Sequence, residues 1–250
     1  MASDGFNGLR VAVTGGTSGL GLAIVRELHR RGARVAFVAR SADRVAAVVS
    51  EAPDLHGIAG DVSRKDDIYP IAVQVLGELG GLDVLINNAS DLGSVPLRLL
   101  ADTDCEDLER ALATNLLGPF RLTKAVLGAL AASAREGRGA AVVNISSDAA
   151  VAAYPTWGAY GATKAALRHM TSIWDAELEG EGVRFLSIDP GDMDTPLHAL
   201  AVPDADRASL KRPEVAAIEV LDTVAALLPS SSPVGIGIAN VERPASTRIQ

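Results

Sequence analysis

Tyr160 and Lys164 stand four residues apart, so a helix through them would carry a phenol and an ammonium on one face, one turn apart. Ser147 lies upstream, just past the run Ala140 to Ile145 (AAVVNI), which reads as a buried strand. The hydroxyl would then leave a strand's C-terminal end, and the phenol and ammonium would enter on the next helix. In an open α/β sheet that edge is where ligands bind. Converging there, the three groups can polarise a carbonyl and hand it a proton. Taken singly, each has an ordinary explanation: a solvated helix face for Tyr-x-x-x-Lys, a turn or N-cap for the serine.

The elements that must position these groups begin with a short strand, Leu9 to Val13, followed at once by Thr14 to Gly21 (TGGTSGLG). Apolar residues then recur at helical spacing to Arg31, and Gly32 closes the helix. Gly15 would allow the tight turn, Gly19 a close backbone approach to a pyrophosphate, and Gly21 the packing of helix on strand. The helix N-terminus would face the phosphates. The spacing is T-G-x3-G-x-G rather than G-x-G-x-x-G, and a purely structural βα turn is the alternative. Ala33 to Arg40 reads as the second strand, ending in Ala39-Arg40 with no acid before Asp43. An acid there would bind a ribose 2′-hydroxyl and an arginine a 2′-phosphate, so the sequence favours NADP(H), with NAD(H) the less favoured alternative. A solvated loop arginine is the plain explanation of Arg40.

Further along, Asp43 to Ser50 is helical in pattern, Leu55 to Ala59 a strand, and Asp61 either a cap or an acceptor for an adenine amino group. Ser63 to Glu78 reads as a helix that Pro70 would delay or kink. Leu82 to Ile86 is a fourth strand, running into Asn87-Asn88-Ala89-Ser90, whose amides can pin backbone near a cofactor or simply form a turn. After a loop from Ser90 to Ala101, a long helix is expected from about Asp104 to Arg135, with Asp102 or Thr103 as N-cap. Inside it Asn115 needs partners, and Gly118-Pro119 invites a bend. Val183 to Ile188 makes a sixth strand; Val202 to Pro213 is polar, turn-rich and expected to be mobile. Glu214 to Leu228 is a helix and Pro233 to Val241 a last strand. This alternation predicts one doubly wound α/β domain over residues 1–250 with a mostly parallel sheet.

A formal net charge of −8 over 250 residues argues against a nucleic-acid or anionic-membrane partner. The single cysteine, Cys105, permits no intramolecular disulfide and reads as a bystander. With no signal-like start and no long apolar run, the expected location is the cytoplasm.

In combination and in order, TGGTSGLG at 14–21, NNA at 87–89, Asn115, Ser147, Tyr160-x-x-x-Lys164, Pro190-Gly191 and Thr195 resemble the short-chain dehydrogenase/reductase family over about residues 9–240. Ser147 precedes Tyr160 by the family's usual thirteen residues. The resemblance implies a Rossmann-type fold with strand order 3-2-1-4-5-6-7, a nicotinamide cofactor and reversible carbonyl/alcohol chemistry. Often it also implies a homo-oligomer, dimer or tetramer, through the helices at 104–135 and 157–179. It assigns cofactor binding to Gly15, Thr17, Ser18, Gly19, Leu20, Gly21, Arg40, Asp61, Val62, Asn88, Ala89, Tyr160, Lys164, Pro190, Gly191 and Thr195. Two departures stand out. Ser90 replaces the family's usual glycine after Asn-Asn-Ala, and Gly235 to Val241 lacks the usual glycine pair, which puts the second oligomer interface in doubt.

On this reading Ser147 hydrogen-bonds the substrate oxygen and Tyr160 protonates it. Lys164 and the oxidised nicotinamide lower the phenol's pKa, and Lys164 also binds ribose hydroxyls. Asn115, through a water, links Lys164 to solvent. Asp148, Ala149, Tyr154 and Trp157 are candidate substrate walls, although Trp157 fits a core or subunit interface equally well. Asp189, Asp192, Asp194 and His198 have metal-ligand chemistry at a spacing that matches no metal motif, so no metal is expected. A substrate lid is expected at about 192–212, closing over a neutral, partly apolar carbonyl compound or its secondary alcohol. Two rival functions remain: an NADP-sensing binding protein without chemistry, and an epimerase or lyase of the same family with no net redox change.

Overall fold

Val11 and Val13 of the first strand join one apolar cluster and Ala12, between them, joins the other, the two-sided burial that parallel strands require. The computed structural model describes residues 5–228. Six strands, β1 (Arg10–Thr14), β2 (Arg34–Ala39), β3 (His56–Ala59), β4 (Val84–Asn87), β5 (Ala140–Ile145) and β6 (Val183–Ile188), pair in the order 3-2-1-4-5-6. Every pairing is parallel. The expected seventh strand, Pro233 to Val241, lies outside the described residues, as does the segment bearing the second oligomer interface.

Helices α1 (Gly19–Arg30), α2 (Ala42–Glu51) and α8 (Pro213–Ala225) cover one face, and α3 (Lys65–Leu79) and α5 (Gly118–Arg135) the other. Two shorter helices, α4 (Cys105–Leu112) and α7 (Pro196–Ala201), and the long α6 (Gly158–Leu178) complete the set. Among the described residues no helix is long and apolar enough to cross a membrane.

Three local expectations are corrected. The helix after β3 starts at Lys65, not Ser63, because the Ser63 backbone N–H and hydroxyl both bond Asp61 Oδ1 in a tight turn, at 2.9 and 2.7 Å. It then runs through Pro70 undelayed. The long helix at 104–135 is two helices joined by a π turn, Ala113–Leu117. Its N-cap is Asp104, since Asp102 ends a 3-10 turn and the Thr103 hydroxyl donates back to the Leu99 carbonyl. The wide turn centres on Asn115, and a side chain at Gly118 would meet the Val62 carbonyl at 2.8 Å.

Candidate active site

The C-terminal strand ends open onto a cleft of about 740 Å³. At one end the glycine loop is stapled to the chain leaving β4. Thr14 Oγ1 accepts from the backbone N–H groups of Asn88 and Ala89, each at 3.0 Å, and Asn88 Nδ2 donates to the Thr14 carbonyl at 2.9 Å. Gly15 has φ 74°, and a Cβ on Gly21 would stand 2.1 Å from the Gly15 carbonyl oxygen, so loop and helix meet as bare backbone. Ser18, the N-cap of α1, makes no capping bond with its side chain, which leaves first-turn N–H groups available to an anion. Thr17, Gly19, Leu20, Asp61 and Val62 also line the cleft.

Beyond the loop, Arg40, Ser41 and Arg44 line the cleft. Among the described residues neither guanidinium has a hydrogen-bond or ion-pair partner. Arg44 escaped the sequence reading, although its place one turn after Arg40, in the first turn of α2, was the signal for a second cation there. Uncapped N–H groups, glycines whose missing side chains keep the loop thin, and two cations unpaired among the described residues fit the phosphates of a nicotinamide dinucleotide.

At the other end Ser147, leaving β5, caps a short 3-10 turn, while Tyr160 and Lys164 occupy one face of α6. Thr156, just ahead of that helix, holds φ 74°, a rare backbone state for a β-branched residue. Tyr160 is 7% exposed and Lys164 2%. Lys164 Nζ donates to the Ile145 carbonyl at 2.8 Å and stands 5.5 Å from the Tyr160 ring centre. Burial alone pulls the Lys164 pKa down to about 8. The Tyr160 phenol moves opposite to the expected direction, up to about 12. Burial is the main cause, the hydroxyls of Ser147 and Ser90 pull it back, and the carboxylates of Asp189 and Asp148 push it further up. The protein's own groups therefore hold a neutral phenol, an acid ready to donate.

Asn115 is fully engaged without touching Lys164. Its Oδ1 accepts from the Asp91 N–H at 2.8 Å and the Ser90 hydroxyl at 3.2 Å. Its Nδ2 donates to the Asp91 carbonyl at 2.8 Å and Thr163 Oγ1 at 2.9 Å. Its side chain thus locks the β4 loop to α6, and the cleft lining includes Thr114 but not Asn115. Ser90, standing where the family usually has glycine, reaches both Asn115 and Tyr160.

Asp148, Tyr154 and Trp157 line the cleft, and Trp157 packs edge-on against Tyr160 at 5.7 Å. Ala149 does not line it: the side chain is buried with Leu92 and Tyr160. Pro190, Gly191 and Thr195 form the opposite rim, where Thr195 caps α7 by accepting from the His198 N–H at 3.2 Å. The four residues with metal-ligand chemistry are dispersed. Asp194 pairs with Arg207 at 2.8 Å, and His198 Nε2 is 4.0 Å from Asp192 Oδ1.

A family model described as short chain dehydrogenase matches residues 10–206. An uncharacterized oxidoreductase of Mycobacterium bovis is 33% identical over 202 residues, covering 78% of this chain but only 58% of that protein's length. L-fucose dehydrogenase of Mus musculus is 34% identical over 192 residues, covering 77% of this chain and 68% of the relative. Among solved structures, a short-chain dehydrogenase from Streptomyces avermitilis aligns with TM-score 0.75 at 28% identity, over 87% of this chain and 84% of that one.

Proposed function

The chain belongs to the short-chain dehydrogenase family, and from that premise we propose that it is an NADP(H)-dependent oxidoreductase interconverting a neutral carbonyl compound and its secondary alcohol. One observation carries the reading: Ser147, Tyr160 and Lys164 line the same cleft as the glycine loop and the Arg40/Arg44 pair. When bound, the nicotinamide would supply or take up the hydride.

The chain's residues do the rest. Gly15, Thr17, Ser18, Gly19, Leu20 and Gly21 offer backbone and hydroxyl groups to the pyrophosphate. Arg40 and Arg44 hold the 2′-phosphate, which is the basis for preferring NADP(H) over NAD(H). Asp61 and Val62 border the adenine, Asn88 and Ala89 back the ribose, and Pro190, Gly191 and Thr195 meet the carboxamide end. Lys164, with one of its three protons given to Ile145, has two left for ribose hydroxyls. Tyr160 protonates the substrate oxygen, and Ser147 polarises it. A cationic nicotinamide beside Tyr160 would provide the downward pKa shift that the protein's own groups do not. With the Asn115 side chain committed, any relay of protons from Lys164 would use backbone carbonyls at the π turn.

Segment 192–212 serves as the substrate cover, with Leu197, Leu200, Ala201 and Val202 facing the cleft. Exposed Leu117 and Phe120 at the start of α5 and Ile173 on α6 support a homo-oligomeric contact through these helices.

The test is consumption of NADPH and NADH with a panel of ketones and aldehydes, repeated with Tyr160→Phe. Turnover that prefers NADPH and falls at least about a hundredfold in the variant is expected. No consumption of either cofactor with any carbonyl, or a Tyr160→Phe enzyme above a hundredth of wild-type rate, would overturn the reading.

A further inference from the structure

Ser147 has a single proton, and in this structure it is already committed. Its hydroxyl donates to Asp148 Oδ1 at 3.0 Å, because an ionised carboxylate accepts and cannot donate. The Ala149 N–H donates to the same Oγ at 3.2 Å. The second Asp148 oxygen accepts from the Tyr154 hydroxyl at 2.8 Å, which fixes the carboxylate beside Ser147. Tyr154, with Ser147 adding to the effect, holds the Asp148 pKa below the usual carboxylate range, so the acceptor is charged at neutral pH. As arranged, the Ser147 proton lies toward Asp148, so a substrate oxygen must compete with an ionised carboxylate for it. A donor that takes its place on Asp148 frees that proton for the substrate oxygen. The carboxylate lines the same cleft as the Tyr160 phenol and is close enough to act on its charge.

We infer that the substrate is a carbonyl compound with a hydroxyl on the neighbouring carbon, and that this hydroxyl donates to Asp148 and releases the Ser147 proton to the carbonyl oxygen. The inference rests on the oxidoreductase reading and narrows it to α-hydroxy carbonyls and vicinal diols. The balance is that of the parent reaction. The carbonyl carbon gains a hydride as reduced nicotinamide is oxidised, the oxygen gains the Tyr160 proton, and the adjacent hydroxyl keeps its own. Asp148 is a specificity residue here: a plain ketone leaves Ser147 tied to the carboxylate, whereas a hydroxy ketone satisfies both acceptors at once. Asp189 and Asp192 line the same end and add to its preference for donors over anions.

The experiment compares kcat/KM for butan-2-one and 1-hydroxybutan-2-one with NADPH in wild type, Asp148→Ala and Asp148→Asn. The greater electrophilicity of the hydroxy ketone cancels when its preference ratio is compared between enzymes. The wild-type ratio should exceed that of Asp148→Ala about tenfold or more, as expected for a hydrogen bond to a charged acceptor. In Asp148→Ala the plain ketone should improve, because Ser147 is released, and Asp148→Asn should fall between. Equal ratios in wild type and Asp148→Ala overturn the inference alone. An amino ketone preferred over the hydroxy ketone by more than tenfold overturns the hydroxyl assignment. Absence of turnover from every ketone overturns the oxidoreductase reading beneath it. A second readout needs no turnover: calorimetric binding to Tyr160→Phe should favour the hydroxy ketone, and Tyr160→Phe/Asp148→Ala should lose that margin. Equal binding of the two ketones to Tyr160→Phe overturns the inference.

Discussion

The two ends of the parallel strands bury charge in opposite ways, just before β4 at one edge and at the Ile145 end of β5 at the other. Before the strand, Asp83 is fully buried and saturated. Arg10 donates through its guanidinium at 2.6 Å and its backbone N–H at 2.8 Å, Arg138 at 3.0 Å, and the Ser133 hydroxyl at 2.6 Å. Those partners outweigh desolvation and drive the Asp83 pKa far below the usual carboxylate range. On the far side of the sheet Lys164 is equally buried, with one carbonyl as partner, and its pKa falls toward neutrality. Ser146, just past β5, and Ser187, on β6, bury hydroxyls with no hydrogen-bond partner among the described residues. A saturated charge fastens the fold, whereas an under-satisfied one at the ligand edge retains donors for something that arrives.

The comparison breaks most sharply if chemistry and stability are not separable. Tyr160→Phe should cost turnover about a hundred- to ten-thousand-fold and leave the melting temperature nearly unchanged. Because the phenol is held up at about 12 in the free protein, alcohol oxidation should speed up as pH rises through the neutral range, since it needs the phenolate. Carbonyl reduction should not. Asp83→Ala should do the reverse of Tyr160→Phe. Removing the carboxylate strands Arg10 and Arg138, so denaturant unfolding should show a loss of about 3–5 kcal/mol, with the activity per folded molecule retained. The sign with pH follows from a folded pKa depressed below the ordinary aspartate value of 3.8. The stabilisation is complete above about pH 4 and drains away as pH falls toward the folded value. A variant as stable as wild type would mean that the saturated cluster fastens nothing.

What the sequence disclosed follows the same division. The strand pattern, the glycine loop and the Ser147, Tyr160 and Lys164 set were legible because periodicity and spacing determine which backbone edge they reach. The family resemblance was borne out, as was the doubly wound sheet for the six strands within the described residues. The Asp83 cluster was invisible: Arg10, Asp83, Ser133 and Arg138 lie far apart in the chain, and only the fold brings them together. For the same reason the Ser63 and Thr103 boundaries slipped, since an Asp61 turn and a Leu99 carbonyl decide them rather than propensity. The upward push on the Tyr160 pKa in the cofactor-free protein was not foreseen, because burial depends on neighbours such as Trp157, which no spacing rule supplies. The Ser147–Asp148 bond joins adjacent residues, yet it was missed because the serine's proton was assigned to the substrate before its own acceptors were counted.

A third prediction sharpens the contrast between paired and unpaired arginines. Arg10 and Arg138 are spent on Asp83, while Arg40 and Arg44 are unpaired among the described residues. Arg40→Ala should weaken NADPH binding by about 1.5–3 kcal/mol and leave NADH nearly unaffected, as read by fluorescence titration. Arg44→Ala should act in the same direction. Equal affinities for NADPH and NADH in the wild type would remove the 2′-phosphate from this end of the cleft.

The smallest effect tests the under-satisfied side directly. Lys164 is buried, and no carboxylate contributes to its shift, so its charge is a cost that the fold carries. Lys164→Met keeps the length and apolar stem and removes the charge. It should abolish turnover and weaken cofactor binding, yet raise unfolding free energy by about 1–2 kcal/mol at pH 7. The sign is fixed by linkage. With a folded pKa of about 8 against the ordinary lysine value of 10.5, the native state binds fewer protons than the unfolded chain between those limits. Wild-type stability therefore gains from this group as pH rises through that window, and the advantage of the variant should shrink from pH 8 toward pH 10. Measurements should stop near pH 10, because Tyr160, with its pKa raised from 10.0 to about 12, works in the opposite direction above it. Urea unfolding at pH 7, 8.5 and 9.5 gives the three points required. A variant less stable than wild type at pH 7, or a gap that widens with pH, would show that the Lys164 charge is repaid within the fold and that the two ends of the strands are alike.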